Sequence, residues 1–107
     1  METRMTQVSI PFLSEFRDPM RSGAKTATSR TRRYGKVGDT FHIFGWEFEI
    51  FKVHKLKLSD VASSYWRQEG VNSPGEFMEV WLKLHRVWNP NLEVYLHRFK
   101  KTRELTP

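Results

Sequence analysis

Two segments of this sequence carry residues whose chemistry goes beyond ordinary structure, and the first contains Glu69. The pattern predicts a helix over residues 59–69. On an ideal helical wheel with Val61 at 0°, Trp66 falls at about 140° and Glu69 at about 80°, inside the apolar stripe. The carboxylate also lies in the last turn, where it opposes the helix dipole by up to roughly 1 kcal/mol. Both circumstances disfavour its ionised form and predict a cation partner or a functional role. Alternatively, the helix frays at Gln68 and Glu69 points to water.

The second segment, residues 23–30, is a small-residue turn that leads into a threonine-rich strand with a lysine. In an ideal strand Lys25 and Thr28 face opposite sides, because their spacing is odd. They converge only if Lys25 lies in the turn before the strand, which Gly23 permits. A lysine near a threonine and a glutamate can act on a carbonyl group, since a desolvated lysine can take the hydroxyl proton. Alternatively, the threonines are ordinary strand residues and the lysine is exposed.

Strand patterns describe most of the frame around these segments. A hairpin is expected about Gly45, with a β-bulge near Ile50 and Phe51, where the apolar face changes phase. Residues 30–36 form a basic loop, and residues 37–39 form a turn. Strands are predicted over residues 8–12, 25–30, 40–44, 46–56 and 92–99.

Helix signals supply the remaining elements. A short helix over residues 13–21, interrupted around Asp18 and Pro19, precedes the segment of residues 23–30. A further helix has a capping box, with Ser73 at the N-cap, Pro74 at the first helical position and Glu76 at the third. Its apolar residues recur at helical spacing: Phe77, Val80, Trp81 and Leu84.

Length and composition set the class of the protein. A chain of 107 residues predicts one domain, with a core over residues 8–100 and a polar tail over residues 101–107. The order of elements predicts an α+β fold, a small mixed β-barrel with two or three short helices. The absence of cysteine excludes disulfides and thiolate metal sites. No apolar run is long enough to span a membrane, and residues 1–11 lack the apolar core of a secretory signal. We therefore expect a cytoplasmic protein without a membrane partner.

The net charge of +6 is unevenly distributed. Residues 1–36 hold 8 basic and 3 acidic side chains (+5), residues 37–80 hold 4 and 7 (−3), and residues 81–107 hold 6 and 2 (+4). Basic termini that converge on one face would attract a phosphate-bearing partner. Alternatively, they form an ordinary solvated surface. Candidate contacts to substrate or RNA are Arg30, Arg32, Arg33 and Lys36, with Tyr34 as a stacking ring.

The other aromatic residues and the histidines favour structural roles. Trp66 and Trp81 recur with neighbouring rings at helical spacing, which is more typical of a core than of base stacking. No two of the four histidines have the spacing of metal ligands on a helix. We expect neither a metal nor a cofactor.

The motifs also occur in a characteristic order. The pattern G-x-K-T-x-T-x-R over residues 23–30 is followed by V-G-D over 37–39 and by E-G-V over 69–71, with Ser73, Glu76 and Phe77 beyond. In order and spacing, from about residue 10 to residue 100, the chain resembles the ASCH domain. The resemblance implies a PUA-like barrel of a family associated with RNA.

Small bacterial ASCH proteins of this length include N4-acetylcytidine amidohydrolases, and the chain resembles them at Lys25, Thr28 and Glu69. The resemblance implies a hydrolase for a linear amide, the acetyl group on the exocyclic nitrogen of cytidine. Thr28 would attack the carbonyl, with Lys25 as its base or as a positive charge against the oxyanion. Glu69 would hold Lys25 and move a proton to or from the leaving amine. Thr26 and Arg30 would bind the nucleoside or brace the site.

Three classes of function follow from these patterns. The first is an amidohydrolase for a modified nucleoside, with Lys25, Thr28 and Glu69 as its catalytic set. The second is a non-catalytic RNA-binding module for single-stranded or structured RNA, which uses the basic loop and residues 98–103. The third is an ASCH ribonuclease, with Lys25 and a hydroxyl acting on a phosphodiester.

Overall fold

One antiparallel sheet forms the frame of the computed structural model, which describes residues 6–105. Its four strands lie in the order β1-β4-β3-β2, so β1 is an outer strand. Gln7 adds a single parallel bridge to Thr40 at the opposite edge. The curled sheet with its helices confirms the predicted α+β class. The elements are a 3-10 helix Ser14–Phe16, α1 Arg17–Ser22, β1 Ala27–Arg30, β2 Thr40–Ile43, β3 Trp46–Lys57, α2 Leu58–Ser64, α3 Pro74–His85 and β4 Glu93–Glu104.

The two faces of the sheet bury two separate cores, because alternate residues of each strand point to opposite sides. On one face, Leu96 of β4 packs among residues of α2 and α3. On the other, Phe99 meets Phe41 and Phe48 edge-on, at centroid distances of 5.2 Å and 5.4 Å. This second core closes against the N-terminal segment through Ile10 and Met20.

Local sequence signals predict the hairpin and the helix start correctly. Gly45 adopts a positive φ between β2 and β3, and the β3–β4 register shifts between Ile50 and Lys52, as expected for a bulge. Ser73 caps α3, since its Oγ accepts a hydrogen bond of 3.0 Å from the backbone N–H of Glu76. These features depend on a few neighbouring residues, which is why their patterns are readable.

Strand β4 is longer than predicted. It continues to Glu104 instead of ending at residue 99, so residues 101–104 of the predicted polar tail are paired with β3. The extension shows no alternation of apolar and polar residues, because its residues are exposed. Backbone pairing with β3 and side-chain contacts with Glu47 hold it in place. Arg103 and Thr102 donate hydrogen bonds to the Glu47 carboxylate, and with His42 they lower its pKa to about 2.

The N-terminal segment also differs from its prediction. Residues 8–12 do not form a strand, and Val8 N–H joins the sheet edge only through a 2.7 Å bond to Thr40 O. The break in the first helix comes before Arg17, earlier than predicted. Pro19 therefore lies in the first turn of α1, where a backbone N–H has no acceptor within the helix, so proline costs no hydrogen bond there. Gly23 ends α1 with φ 87°.

Candidate active site

A cleft of about 370 Å³ follows the outer edge of β1. Residues 11–16 line one side and α3 lines the other. The four consecutive residues 28–31 all line it, although their side chains alternate between the faces of the sheet, so the edge of the strand itself faces the cleft. The volume suits a small molecule. Five predicted site residues meet in it: Lys25, Thr28, Arg30, Tyr34 and Glu69.

Lys25 lies two residues before β1, where its backbone forms an isolated antiparallel bridge with Glu69, so it is not in the turn that the predicted convergence with Thr28 required. Its side chain is buried, and Nζ donates to Ala27 O at 2.9 Å, Glu69 O at 2.8 Å and Glu69 Oε1 at 3.2 Å. Three acceptors therefore match the three protons of the ammonium group. Burial lowers the pKa of Lys25 from its usual value, the Glu69 carboxylate opposes that shift, and the charge of Arg30 adds to it.

Glu69 has the predicted cation partner, but the helix that was expected to position it is shorter. Helix α2 ends at Ser64, so neither the position on the helical wheel nor the helix dipole applies to Glu69. Instead, Gln68 O accepts the N–H groups of Thr26 and Ala27, which lays residues 68–69 along the strand. Glu69 is only 5% exposed as a result and does not point to water.

The two hydroxyl groups of β1 have different partners. Thr28 Oγ1 accepts a 3.0 Å hydrogen bond from Arg30 Nε and makes none to Lys25 or Glu69 within residues 6–105. Ser29 Oγ instead donates to Glu69 Oε2 at 2.5 Å. The motif does not single out Ser29. The sequence signal for it is the spacing of four residues between Lys25 and Ser29, because residues two or four apart in an extended segment share a face.

Arg30 braces the cleft on the side of the N-terminal segment. Its Nη2 donates to Pro11 O at 2.6 Å, and its guanidinium lies 5.0 Å from the Phe12 ring and 5.4 Å from the Tyr34 ring. Burial lowers the pKa of Arg30. The interactions of its guanidinium with Tyr34 and Glu69 oppose that shift. The side chain thus links β1 to the N-terminal wall and holds its positive charge beside the Thr28 hydroxyl.

His97, which no motif identifies, fixes the loop that carries Tyr34. Its Nε2 accepts the Tyr34 backbone N–H at 3.0 Å, so its hydrogen lies on Nδ1, which donates to Thr28 O at 3.3 Å. The ring is fully buried, and burial lowers the pKa of His97. A neutral imidazole therefore ties Tyr34 to β1 next to the cleft.

The wall formed by α3 is apolar. Phe77 and Trp81 are buried, as their spacing predicts, and they also line the cleft. His85 stacks on Trp81 with a centroid distance of 4.0 Å, and burial lowers the pKa of His85. Apolar walls exclude water and strengthen the electrostatic interactions of the polar residues opposite.

Four predicted contact residues lie outside this cleft. Thr26 is engaged through its backbone, and Arg32 stacks on Tyr34 at 4.0 Å. Arg33 Nε donates to Gly35 O, and Lys36 pairs with Asp39 at 3.5 Å; both line a separate depression of about 310 Å³. Within residues 6–105 no three side chains form a metal-binding group, and no helix is long and apolar enough to cross a membrane.

Gly70→Ala is expected to displace Lys25. A Cβ at Gly70 would lie 2.6 Å from Lys25 Cβ, and φ is +86°, which alone costs about 1–2 kcal/mol for alanine. Gly45→Ala is the matched control, since φ is +87° with nothing within 4 Å. Overpacking adds about 1–3 kcal/mol, so Gly70→Ala should lower the free energy of unfolding by the larger amount in urea titrations. Equal losses would show that the contact with Lys25 relaxes without cost.

Comparison with known proteins defines the class of fold. No protein-family model matches the sequence, and no curated protein gives a significant match. Among solved structures, an ASCH domain from Lactobacillus crispatus JV V101 superposes with a TM-score of 0.61 at 16% identity, covering 91% of this chain and 79% of its own.

Two further structures give the same result. Protein EF3133 from Enterococcus faecalis V583, of the family DUF984, has a TM-score of 0.64 at 17% identity, covering 100% of this chain and 86% of its own. Hypothetical protein PH0355 has a TM-score of 0.63 at 15% identity, and the alignment covers 85% of this chain and 94% of that protein. This chain therefore has an ASCH-like fold. At these identities the likeness extends to the fold and not to the activity.

Proposed function

We propose that this protein is an amidohydrolase that removes the acetyl group from N4-acetylcytidine or a related modified nucleoside. The observation that carries the proposal is the meeting of Lys25, Thr28 and Glu69 in one largely apolar cleft. A buried amine with a lowered pKa, a hydroxyl and a carboxylate are the groups that amide hydrolysis needs. The resemblance of the motif around these residues supports the choice of substrate.

The reaction begins with attack of Thr28 Oγ1 on the acetyl carbonyl carbon. Lys25, as the neutral amine, takes the hydroxyl proton after Nζ leaves Glu69 Oε1, the longest of its three contacts at 3.2 Å. Arg30, whose Nε donates to Thr28 Oγ1, stabilises that oxygen as it loses its proton. Once the bond to carbon has formed, the negative charge lies on the acetyl oxygen of the tetrahedral intermediate. The C–N bond then breaks as the exocyclic nitrogen receives the proton, which releases cytidine. Water hydrolyses the acetyl ester of Thr28, which releases acetate and restores the hydroxyl.

Glu69 acts by holding Lys25. One carboxylate oxygen and the backbone carbonyl contact the amine, and the second oxygen is held by Ser29. These contacts keep Nζ at the edge of β1. They also oppose the desolvation of the ammonium group, so Glu69 tunes the proton affinity of Lys25.

The decisive experiment is hydrolysis of N4-acetylcytidine by the purified protein, followed by the loss of acetylcytosine absorbance and by acetate release. We expect one acetate per cytidine formed, and a loss of at least about 10³-fold in kcat/KM for Lys25→Ala. Lys55→Ala is the matched control, because that lysine is exposed on β3 and does not line the cleft. Circular dichroism checks the folding of each variant.

Absence of turnover in the wild-type protein would contradict the proposal. RNA binding is then the next candidate, tested by titrating single-stranded RNA at several salt concentrations, since several phosphate contacts give a steep salt dependence. The observation behind this alternative is that Arg33 and Lys36 line a second depression beside Tyr34, and that Arg32 stacks on the same Tyr34 ring.

A further inference from the structure

The backbone of β1 directs its hydrogen-bonding groups alternately toward β4 and toward the cleft. Thr26 O accepts from Phe99 N at 2.9 Å, which places the Thr26 carbonyl on the β4 side. Ala27 faces outward, because its N–H donates to Gln68 O and its carbonyl accepts from Lys25 Nζ. Alternate residues of an antiparallel strand repeat this orientation. The next residue whose N–H and C=O both face outward is therefore Ser29.

These two outward groups of Ser29 have no hydrogen-bond partner within residues 6–105. The residue lines the cleft and is only 8% exposed. Gln68 and Glu69 cover the edge at Ala27 but do not reach the N–H and C=O of Ser29. Buried backbone groups are nearly always paired, so this adjacent donor and acceptor are satisfied by water or by a ligand in the cleft.

We infer that the Ser29 backbone reads the hydrogen-bonding edge of the nucleobase, an inference that rests on the proposed function. In an extended residue the N–H and C=O of the same residue point in the same direction. Cytosine offers the complement on adjacent atoms, a ring nitrogen N3 that accepts and an exocyclic N4–H that donates. The Ser29 N–H donates to N3, and the Ser29 carbonyl accepts from N4–H.

This pairing fixes the position of the base along the strand. The exocyclic nitrogen, which carries the acetyl group, lies at the Ser29 carbonyl. The apolar side chains of α3, among them Val80 and Trp81, line the cleft on one side, and Phe12 lines it on the other. A planar ring is therefore held edge-on by the strand and covered by apolar walls.

The test compares cytidine with 3-deazacytidine, which has a C–H in place of N3 and is otherwise the same shape. Both are titrated into the ¹⁵N-labelled wild-type protein at millimolar concentration, where weak binding is visible by NMR. We expect 3-deazacytidine to bind about tenfold more weakly, the effect of one lost hydrogen bond. With ¹⁵N-labelled cytidine, a coupling across the hydrogen bond is expected between Ser29 N and ring N3.

The Ala27 amide is the internal control, since its N–H is already bonded to Gln68 O and has no reason to shift downfield. Equal binding of the two nucleosides, with no coupling at Ser29, would overturn this inference while leaving the hydrolysis of N4-acetylcytidine intact. If neither nucleoside binds and N4-acetylcytidine is not hydrolysed, the proposed function itself fails, and the inference fails with it.

Discussion

Glu69→Gln should lower the free energy of unfolding by about 3 kcal/mol at pH 7, because it leaves the Lys25 ammonium group buried without a counter-charge. The side chains of Lys25 and Glu69 are 2% and 7% exposed, so water cannot replace the lost partner. Two backbone carbonyls still accept from Nζ in the variant. They satisfy protons but do not neutralise the charge, which is why the amide is a poor substitute for the carboxylate.

The loss should also depend on pH. The pKa of Lys25 is lowered in the folded protein, so between that value and the unfolded value near 10.5 the unfolded chain binds more protons. Stability therefore rises with pH across this window. Glu69→Gln removes the carboxylate that opposes the lowering of the Lys25 pKa, so this pKa falls further and the pH range in which stability rises becomes wider. The difference in the free energy of unfolding between the wild-type protein and the variant should therefore shrink as pH rises toward 10.

Urea titrations of Glu69→Gln at pH 7 and pH 9.5 measure both effects. Ser29→Ala is the control, because it removes one hydrogen bond to Glu69 and leaves the Lys25 charge paired. It should cost about 1.5–3 kcal/mol, with no trend between pH 7 and pH 9.5. The double variant Lys25→Met/Glu69→Gln should recover much of the stability, since it removes the unpaired charge. A loss below about 1 kcal/mol at pH 7 that is also independent of pH would mean that Lys25 is already neutral in the folded protein.

Local signals predict the parts of the fold that depend on a few adjacent residues. The turn at Gly45, the bulge after Ile50 and the cap at Ser73 each follow from the stereochemistry of a short segment. The extension of β4 and the early end of α2 do not. The first depends on pairing with β3, and the second on how residues 68–69 pack along β1.

The same distinction applies to the site. The motif identifies Lys25 and Glu69, but not the reason for their burial. The helical wheel places Glu69 on a helix that in fact ends at Ser64, and the spacing leaves the exposure of Lys25 open. The partners of Ser29 and His97 depend on which strand is at the edge of the sheet and on which residues lie opposite it. The even spacing between Lys25 and Ser29 indicates a shared face, but no spacing within the sequence identifies the strand at the edge of the sheet or the residues opposite it.

The rate of N4-acetylcytidine hydrolysis should rise with pH, because only the neutral form of Lys25 can take the Thr28 proton. Below the pKa of Lys25 each unit of pH increases the neutral fraction tenfold, so log kcat/KM should rise with a slope of one and then level off. Burial brings that plateau below pH 10.5, the usual value for lysine. Initial rates from pH 6 to pH 10 measure the profile, within the range where circular dichroism shows the protein folded.

Lys25→Arg separates the role of a base from that of a fixed charge. Arginine keeps the positive charge beside Glu69 but stays protonated at every accessible pH, so it cannot accept the hydroxyl proton. We expect kcat/KM to fall by at least about 10³-fold and the dependence on pH through Lys25 to disappear. Thr28→Val is the companion variant, since it removes the hydroxyl and retains the shape. A flat profile in the wild-type protein, together with substantial activity in Lys25→Arg, would instead assign Lys25 to charge stabilisation of the oxyanion and require another base for Thr28.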